Sequence, residues 1–381
     1  MTRTYLDWAA TAIPDYSSAD QAIYGNPSSP HAEGRLAREA LEGARRRCAG
    51  VLGVPPETLY FTSGGTECNA LVLHSLLRRA GKGGLLYSAV EHPSVRENCQ
   101  VLDKLSIPAS FIGVEKSGHI SEAAFCRALE KHPDTRFVTV MGVNNETGVI
   151  MDIAALLCAL RGHQAKTGRP VHFHSDMVQA LGKVDVDLSA WGIDSASFSA
   201  HKLGGPRGIG LLYLRKPVEP LYAGGGQERG LRPGTENTQA AIALADLLER
   251  RASPDALLRE RASAAARMEY LISGLGKIGR CRLIPEDREA QSGEGFSPWI
   301  LQVRFKDVPG EVMVRALDDL GIAISTGAAC SSRSGQRPAL AAMGLDGASQ
   351  LEGVRISQGW STDMAAMDTL LSGIEKVLYS L

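Results

Sequence analysis

Between Leu59 and Tyr213 the sequence switches repeatedly between two hydrophobic periods, and this alternation limits the fold more than any other feature. LLYSAVEH, ASFIGV, RFVTVMGVNNE, VHFHSD, SASFSAHK and GIGLLYLR are short, β-branched or aromatic runs followed by turn residues, the signature of strands. EAAFCRALEKH and MDIAALLCALRGHQAKTG between them carry helical spacing. Strands and helices in alternation build a mainly parallel sheet with helices on both faces.

Beyond Glu236 the pattern becomes almost wholly helical, in NTQAAIALADLLERR and DALLRERASAAARMEYLISGL, with Pro254 marking a break between two helices. From Ile300 the character is mixed: WILQVRF reads as a strand, GEVMVRALDDLG as a helix. Met367, Leu370, Leu371, Ile374, Leu378 and Leu381 then line one face of a closing helix. The expected organisation is an N-terminal segment over 1–14 packing with a small domain, a large α/β domain over 15–250, and a small α+β domain over 251–381. A chain of 381 residues is long enough for such a division.

Lysine and arginine number 41 against 42 acidic residues, so the charge balance gives no reason to expect nucleic acid or an anionic membrane as a partner. No apolar run is long enough to span a bilayer, and MTRTYLDWAATAIPDY lacks the apolar centre of a signal peptide. A cytoplasmic location is expected. Seven cysteines are scattered with no C-x-x-C, which argues against a metal site and for reduced thiols, mostly small core residues.

Three strand ends carry chemistry. FTSGGTECNAL is a strand end, a Gly-Gly turn and a helix start, whose backbone N–H groups suit an anion such as phosphate; a capped helix alone would also explain it. In HFHSDMVQALG, Asp176 ends an apolar strand, either as a helix cap or as the counter-ion of a buried protonated ring nitrogen. SASFSAHKLGGPRGIG delivers Lys202 from a buried strand to a glycine-rich turn. In open α/β sheets ligands bind at the carboxyl ends of the strands. A phosphate cradle, a carboxylate and a lysine together match the three features of pyridoxal 5′-phosphate (PLP).

The whole chain resembles the cysteine desulfurases, among the class V aminotransferase-like, fold-type-I PLP-dependent transferases. YLDWAAT, YGNPSSPH, TSGGTECN, EHPSV, VNNETG, SDMVQALG, SFSAHKLGGPRGIG, GGGQERGLRPGT, STGAACSS and VRIS carry the resemblance, in the family's order. It implies that Lys202 holds PLP and moves the substrate Cα proton, and that Asp176 pairs with the pyridinium nitrogen. Gly65, Thr66, Ser199 and His201 would hold the phosphate. Thr235 would reach the phosphate of a neighbouring subunit, which implies a homodimer. His92 would stack on the ring and shuttle protons. Asn145 and Gln179 would contact the cofactor near its 3′-oxygen, Asn145 also the substrate. Arg355 would grip the α-carboxylate of L-cysteine. Met177 stands where the family usually has a small alanine beside the ring.

Cys330 decides among the activities such an enzyme could have. It lies in STGAACSSRSGQRP, a loop rich in Gly, Ser and charge and outside any apolar periodic element, where a thiol is expected to be mobile and exposed. The resemblance implies that Cys330 takes sulfur from cysteine as a persulfide, leaves alanine, and passes the sulfur to an acceptor protein, an iron–sulfur scaffold or a thiolation carrier. Arg333 and Arg337 nearby could favour its thiolate. Without that role for Cys330, the same fold implies a selenocysteine lyase, a β-lyase or an aminotransferase.

Overall fold

A computed structural model describes residues 3–17, 23–78, 83–289, 295–327 and 337–380. All six expected strands of the first half form and join one seven-stranded sheet. Its order is Leu59–Thr62, Gly210–Leu214, Ser195–Ser199, His172–Asp176, Thr135–Thr139, Gly84–Ser88 and Ala109–Ile112. The last five run parallel, while Gly210–Leu214 is antiparallel to both of its neighbours. Ser195–Ser199 is buried at every position, so small residues there let helices close on both faces.

Helices Glu122–Lys131 and Ile153–Thr167 cross over between strands as expected. Pro254 occupies the first turn of helix Pro254–Gly276, after helix Thr238–Arg251 has ended; the first helical turn tolerates the N–H that proline lacks. Helix Ala32–Leu52, which the periodicity did not single out, packs against Thr238–Arg251. Its buried stripe is mostly small: Ala37, Leu41, Ala44 and Cys48.

A second, three-stranded antiparallel sheet sets Ile300–Phe305 between Cys281–Ile284 and Gly353–Ser357. Its apolar cluster includes Leu301, Val303, Leu317, Ile356, Leu370 and also Leu6. The chain start is held there: Thr4 and Tyr5 pair in parallel with Ile322 and Ala323, and Asp7 bridges Ser357. Ala9 and Ala10 are thereby drawn across the carboxyl ends of the large sheet, where they line a cavity. Among the described residues no helix is long and apolar enough to cross a membrane.

Candidate active site

The carboxyl ends of the parallel strands open into a cavity of about 310 Å³. Gly65, Thr66, His92, Asn145, Asp176 and Gln179 line it, as do Ser199, His201, Lys202 and Arg355. Ten of the twelve residues expected at a site thus meet in one space. Thr235 is exposed and does not line it. Cys330 lies outside the described residues, as does Arg333.

The anion cradle begins at helix Gly65–His74, which starts after Gly64 with no side chain capping its first turn. A Cβ on Gly65 would come within 2.6 Å of Val178 Cγ2, so only glycine lets the helix start approach the loop behind Asp176. Ser199 and His201 face the same cavity. His201 Nδ1 lies 3.1 Å from Thr11 Oγ1. Burial, then the charge of Lys202, push this imidazole down to about 4, so at neutral pH it is uncharged.

Asp176 sits at the floor, 5% exposed. Its Oδ1 accepts from the Val178 amide at 3.0 Å and its Oδ2 from Asn69 Nδ2 at 2.8 Å. It closes a turn and caps no helix. Met177 points the other way: it is 1% exposed in the large core, and a side chain on Gly142 would collide with its Sδ. The expectation that Met177 stands beside the ring is therefore corrected. Val178, one residue on, faces the cavity instead, because successive side chains alternate as the chain leaves the strand.

Lys202 ends a single turn, Ala200–Lys202, directly after strand Ser195–Ser199. Its Nζ donates to the carbonyls of Ala9 and Ala10, at 2.7 Å each. Gln179 ties into the same strap, its Nε2 donating to Ala9 O at 2.9 Å. Behind it Lys183, 2% exposed, donates from Nζ to Gln179 Oε1 at 2.9 Å. Burial, then the charges of Lys202 and Arg355, lower the Lys183 ammonium to about 7.

Arg355 enters from strand Gly353–Ser357, only 4% exposed. It donates to Asn145 O at 2.9 Å and to Asp7 Oδ1 at 2.8 Å, while its Nε has no hydrogen-bond partner among the described residues. Gly327, also on the cavity wall, holds φ +88°. Arg337 is committed elsewhere: it pairs with Glu146 at 2.9 Å and donates to Gly353 O at 3.1 Å, 6% exposed.

Sequence reasoning missed Asn69, Ser94, Glu91 and Lys183. Asn69 follows Gly65 by four residues and so shares its helix face, which is the one local signal for it. Glu91 is 3% exposed; its Oε1 accepts from the Met141 amide at 2.7 Å and its Oε2 from nothing described. Burial, then the neighbouring Asp176, push its carboxyl well above the usual range. Of the other cysteines, Cys48, Cys68, Cys99 and Cys281 are buried as expected, whereas Cys158 is exposed.

Comparison with known proteins agrees with this geometry. The family model described as aminotransferase class-V matches residues 4–370. A NifS/IcsS protein homolog of Lactobacillus delbrueckii subsp. bulgaricus is 36% identical, over 98% of this chain and 96% of its own. A cysteine desulfurase of Bradyrhizobium diazoefficiens is 35% identical over 98% and 94%. Among solved structures, a NifS-like protein superposes with TM-score 0.88 at 30% identity over the whole of both chains. SspA in complex with cysteine gives 0.75 at 29%, covering 93% of this chain and 98% of that one. The chain belongs to the class V aminotransferase family, and within it to the cysteine desulfurases.

That family implies PLP, and the residues present fit it. One cavity offers an uncapped helix start for the phosphate, a carboxylate for the ring nitrogen and a primary amine for the aldehyde. It also offers a guanidinium with a buried, unpartnered N–H that suits a substrate carboxylate.

Proposed function

We infer that this protein is a PLP-dependent cysteine desulfurase, converting L-cysteine to L-alanine and leaving the sulfur as a persulfide on Cys330. The observation that carries this reading is the convergence of Lys202, Asp176, His92 and Arg355 on one cavity in a chain of this family.

PLP, when bound, supplies an electron sink that acidifies the substrate Cα–H. The chain supplies the rest. Gly65, Thr66, Ser199 and His201 would bind the phosphate. Asp176 would hold a proton on the ring nitrogen, with its Oδ2 fixed by Asn69. Asn145 and Gln179 orient the ring, and His92 stands beside it. Lys202 Nζ would hold the aldehyde carbon and, once the substrate amine has displaced it from that carbon, would be free to take the Cα proton. The Ala9 and Ala10 carbonyls are placed to receive that ammonium. Arg355 orients the incoming carboxylate.

The Cys330 thiolate attacks the substrate sulfur, the C–S bond breaks, and the carbon takes a proton. Atoms balance: cysteine and one enzyme thiol give alanine and one enzyme persulfide. Three peptide units separate Cys330 from Gly327 on the cavity wall, a reach of about 11 Å at most, which supports the reading. Arg337, engaged by Glu146, does not support the assistance to the thiolate expected of it. The cytoplasm as location, a homodimer completed by Thr235 and an acceptor protein for the sulfur belong to the same reading.

The test is to incubate the PLP-loaded protein with cysteine and measure alanine and protein-bound persulfide together. One persulfide per site, with alanine in step, is expected. Alanine with sulfide released and no persulfide would replace the reading with a lyase.

A further inference from the structure

We propose that Ser94 and Asn69 are positioning residues that hold the His92 imidazole as its Nε2–H tautomer, so that the ring addresses the cavity as a hydrogen-bond donor.

The protons can be placed one at a time. His92 is the N-cap of helix Pro93–Lys104, and its Nδ1 accepts from the Ser94 amide at 3.1 Å. A backbone N–H can only donate, so Nδ1 must present a lone pair. Ser94 Oγ lies 2.8 Å from the same nitrogen. Which way the hydroxyl proton points is settled by Asn69, a fully buried residue. Its Nδ2 lies 2.8 Å from Asp176 Oδ2 and 2.8 Å from Ser94 Oγ. A carboxylate oxygen accepts, so the atom facing it is the amide NH₂, and the second hydrogen of that group goes to Ser94 Oγ. The Ser94 proton is then left for His92 Nδ1.

The far side of Asn69 agrees. Its Oδ1 accepts from His174 Nε2 at 2.9 Å. His174 Nδ1 is left to accept from Ser195 Oγ at 2.8 Å, and Ser195 Oγ accepts in turn from His172 Nε2 at 2.7 Å. Burial pushes His174 down to about 3, which matches a neutral ring. Ser197 Oγ, 3.3 Å from His174 Nε2, is left to accept from the same N–H, so this assignment is consistent from Ser195 to His92.

Two donors therefore converge on His92 Nδ1. A proton there would set N–H against the Ser94 N–H. Burial disfavours the imidazolium, as do Lys202, Arg96 and Arg355, whereas Asp176 favours it; the balance lowers the imidazole. The neutral ring carries its proton on Nε2 and has no lone pair left for the cavity. For the reaction, and resting on the desulfurase reading, this leaves Cα proton removal to Lys202. His92 donates a hydrogen bond and supports the ring instead of serving as the base. The tautomer itself does not depend on that reading.

The test is long-range ¹H–¹⁵N correlation of histidine-labelled, full-length holoprotein without cysteine, with His92 assigned by its loss in His92→Gln. Wild type should show a protonated Nε2 and a bare Nδ1 at neutral pH. Ser94→Ala, which keeps the backbone donor but removes the hydroxyl, should raise the Nδ1–H to Nε2–H ratio by about fivefold, the worth of one hydrogen bond. Ser94→Thr should restore the wild-type ratio. A wild-type Nδ1–H or imidazolium ring would overturn the proposal, as would a ratio unchanged in Ser94→Ala. Failure of the desulfurase reading shows separately, as missing alanine in a protein whose His92 tautomer is as stated.

Discussion

Arg355 and Asp7 form an ion pair at 2.8 Å that joins the chain start to strand Gly353–Ser357, with side chains 4% and 21% exposed. The pair compensates a buried guanidinium, the group proposed above to hold the substrate carboxylate. Asp7→Asn should lower the stability of the protein by about 2 kcal/mol, since the charge-assisted bond is lost while the cation stays buried. Arg355→Lys should raise KM for cysteine about tenfold or more and leave the cofactor absorbance unchanged, because one ammonium cannot replace a forked donor. Denaturant midpoints check the first and steady-state kinetics the second. An unchanged KM would remove Arg355 from substrate binding.

Lys202 has its amine between two carbonyls of the N-terminal strap. Lys202→Ala should abolish both turnover and the absorbance of lysine-bound cofactor. Lys183 offers a second amine, but it is buried behind Gln179 and held to its Oε1, so it should not substitute. Lysine-bound cofactor in the Lys202→Ala protein, found by reduction with borohydride and peptide mapping, would overturn the assignment.

His174 gives the fold an acid-sensitive element. It is buried and neutral, with its pKa at about 3 against 6.5 for an imidazole in water. The unfolded chain takes up a proton below 6.5 that the folded chain refuses, so this contribution is complete above that pH and is lost as pH falls. One such group changes the unfolding free energy by about 1.4 kcal/mol per pH unit. His174→Gln, which can still donate to Asn69 Oδ1, should make stability between pH 6 and 5 fall less steeply by about that slope. His201 titrates in the same direction, so some slope remains. Parallel curves for the two proteins would show that His174 does not carry it.

The strands of the large sheet were legible because each is a short run of β-branched, aromatic or small residues closed by turn residues, a local property. Lys202, Asp176 and Gly65 were legible because each stands where such a run ends. Helix Ala32–Leu52 was not, since its buried face mixes small residues such as Gly34, Ala37, Ala44 and Cys48 with only two leucines and its remaining positions are rich in Arg and Glu. Nor was Asn69. Nothing near it in sequence says that helix Pro93–Lys104 and strand His172–Asp176 will bring Ser94, His174 and Asp176 to its amide. Met177 was misplaced for a related reason: which way a side chain turns just after a strand depends on the space beneath, here left by Gly142.

Cys330 is the residue on which the proposed reaction turns, and its replacement separates binding from sulfur transfer. Cys330→Ser should keep PLP and still show the spectral change on adding cysteine. Lys202, Asp176 and Arg355 meet in the cavity and need no thiol to receive the cofactor and the amino acid. Persulfide should vanish, and sustained alanine production with it, because a hydroxyl neither ionises near neutral pH nor attacks sulfur well. The six other cysteines should not compensate. Cys48 and Cys68 are buried with thiols pushed up to about 12, Cys99 is pushed up by burial as well, and Cys281 is buried in the smaller cluster. Cys126, half-buried, and Cys158, exposed, do not line the cavity. Mass spectrometry of the intact protein after one turnover, with alanine counted in the same sample, reads both outcomes. Alanine at the wild-type rate from Cys330→Ser would mean that sulfur leaves without a protein carrier.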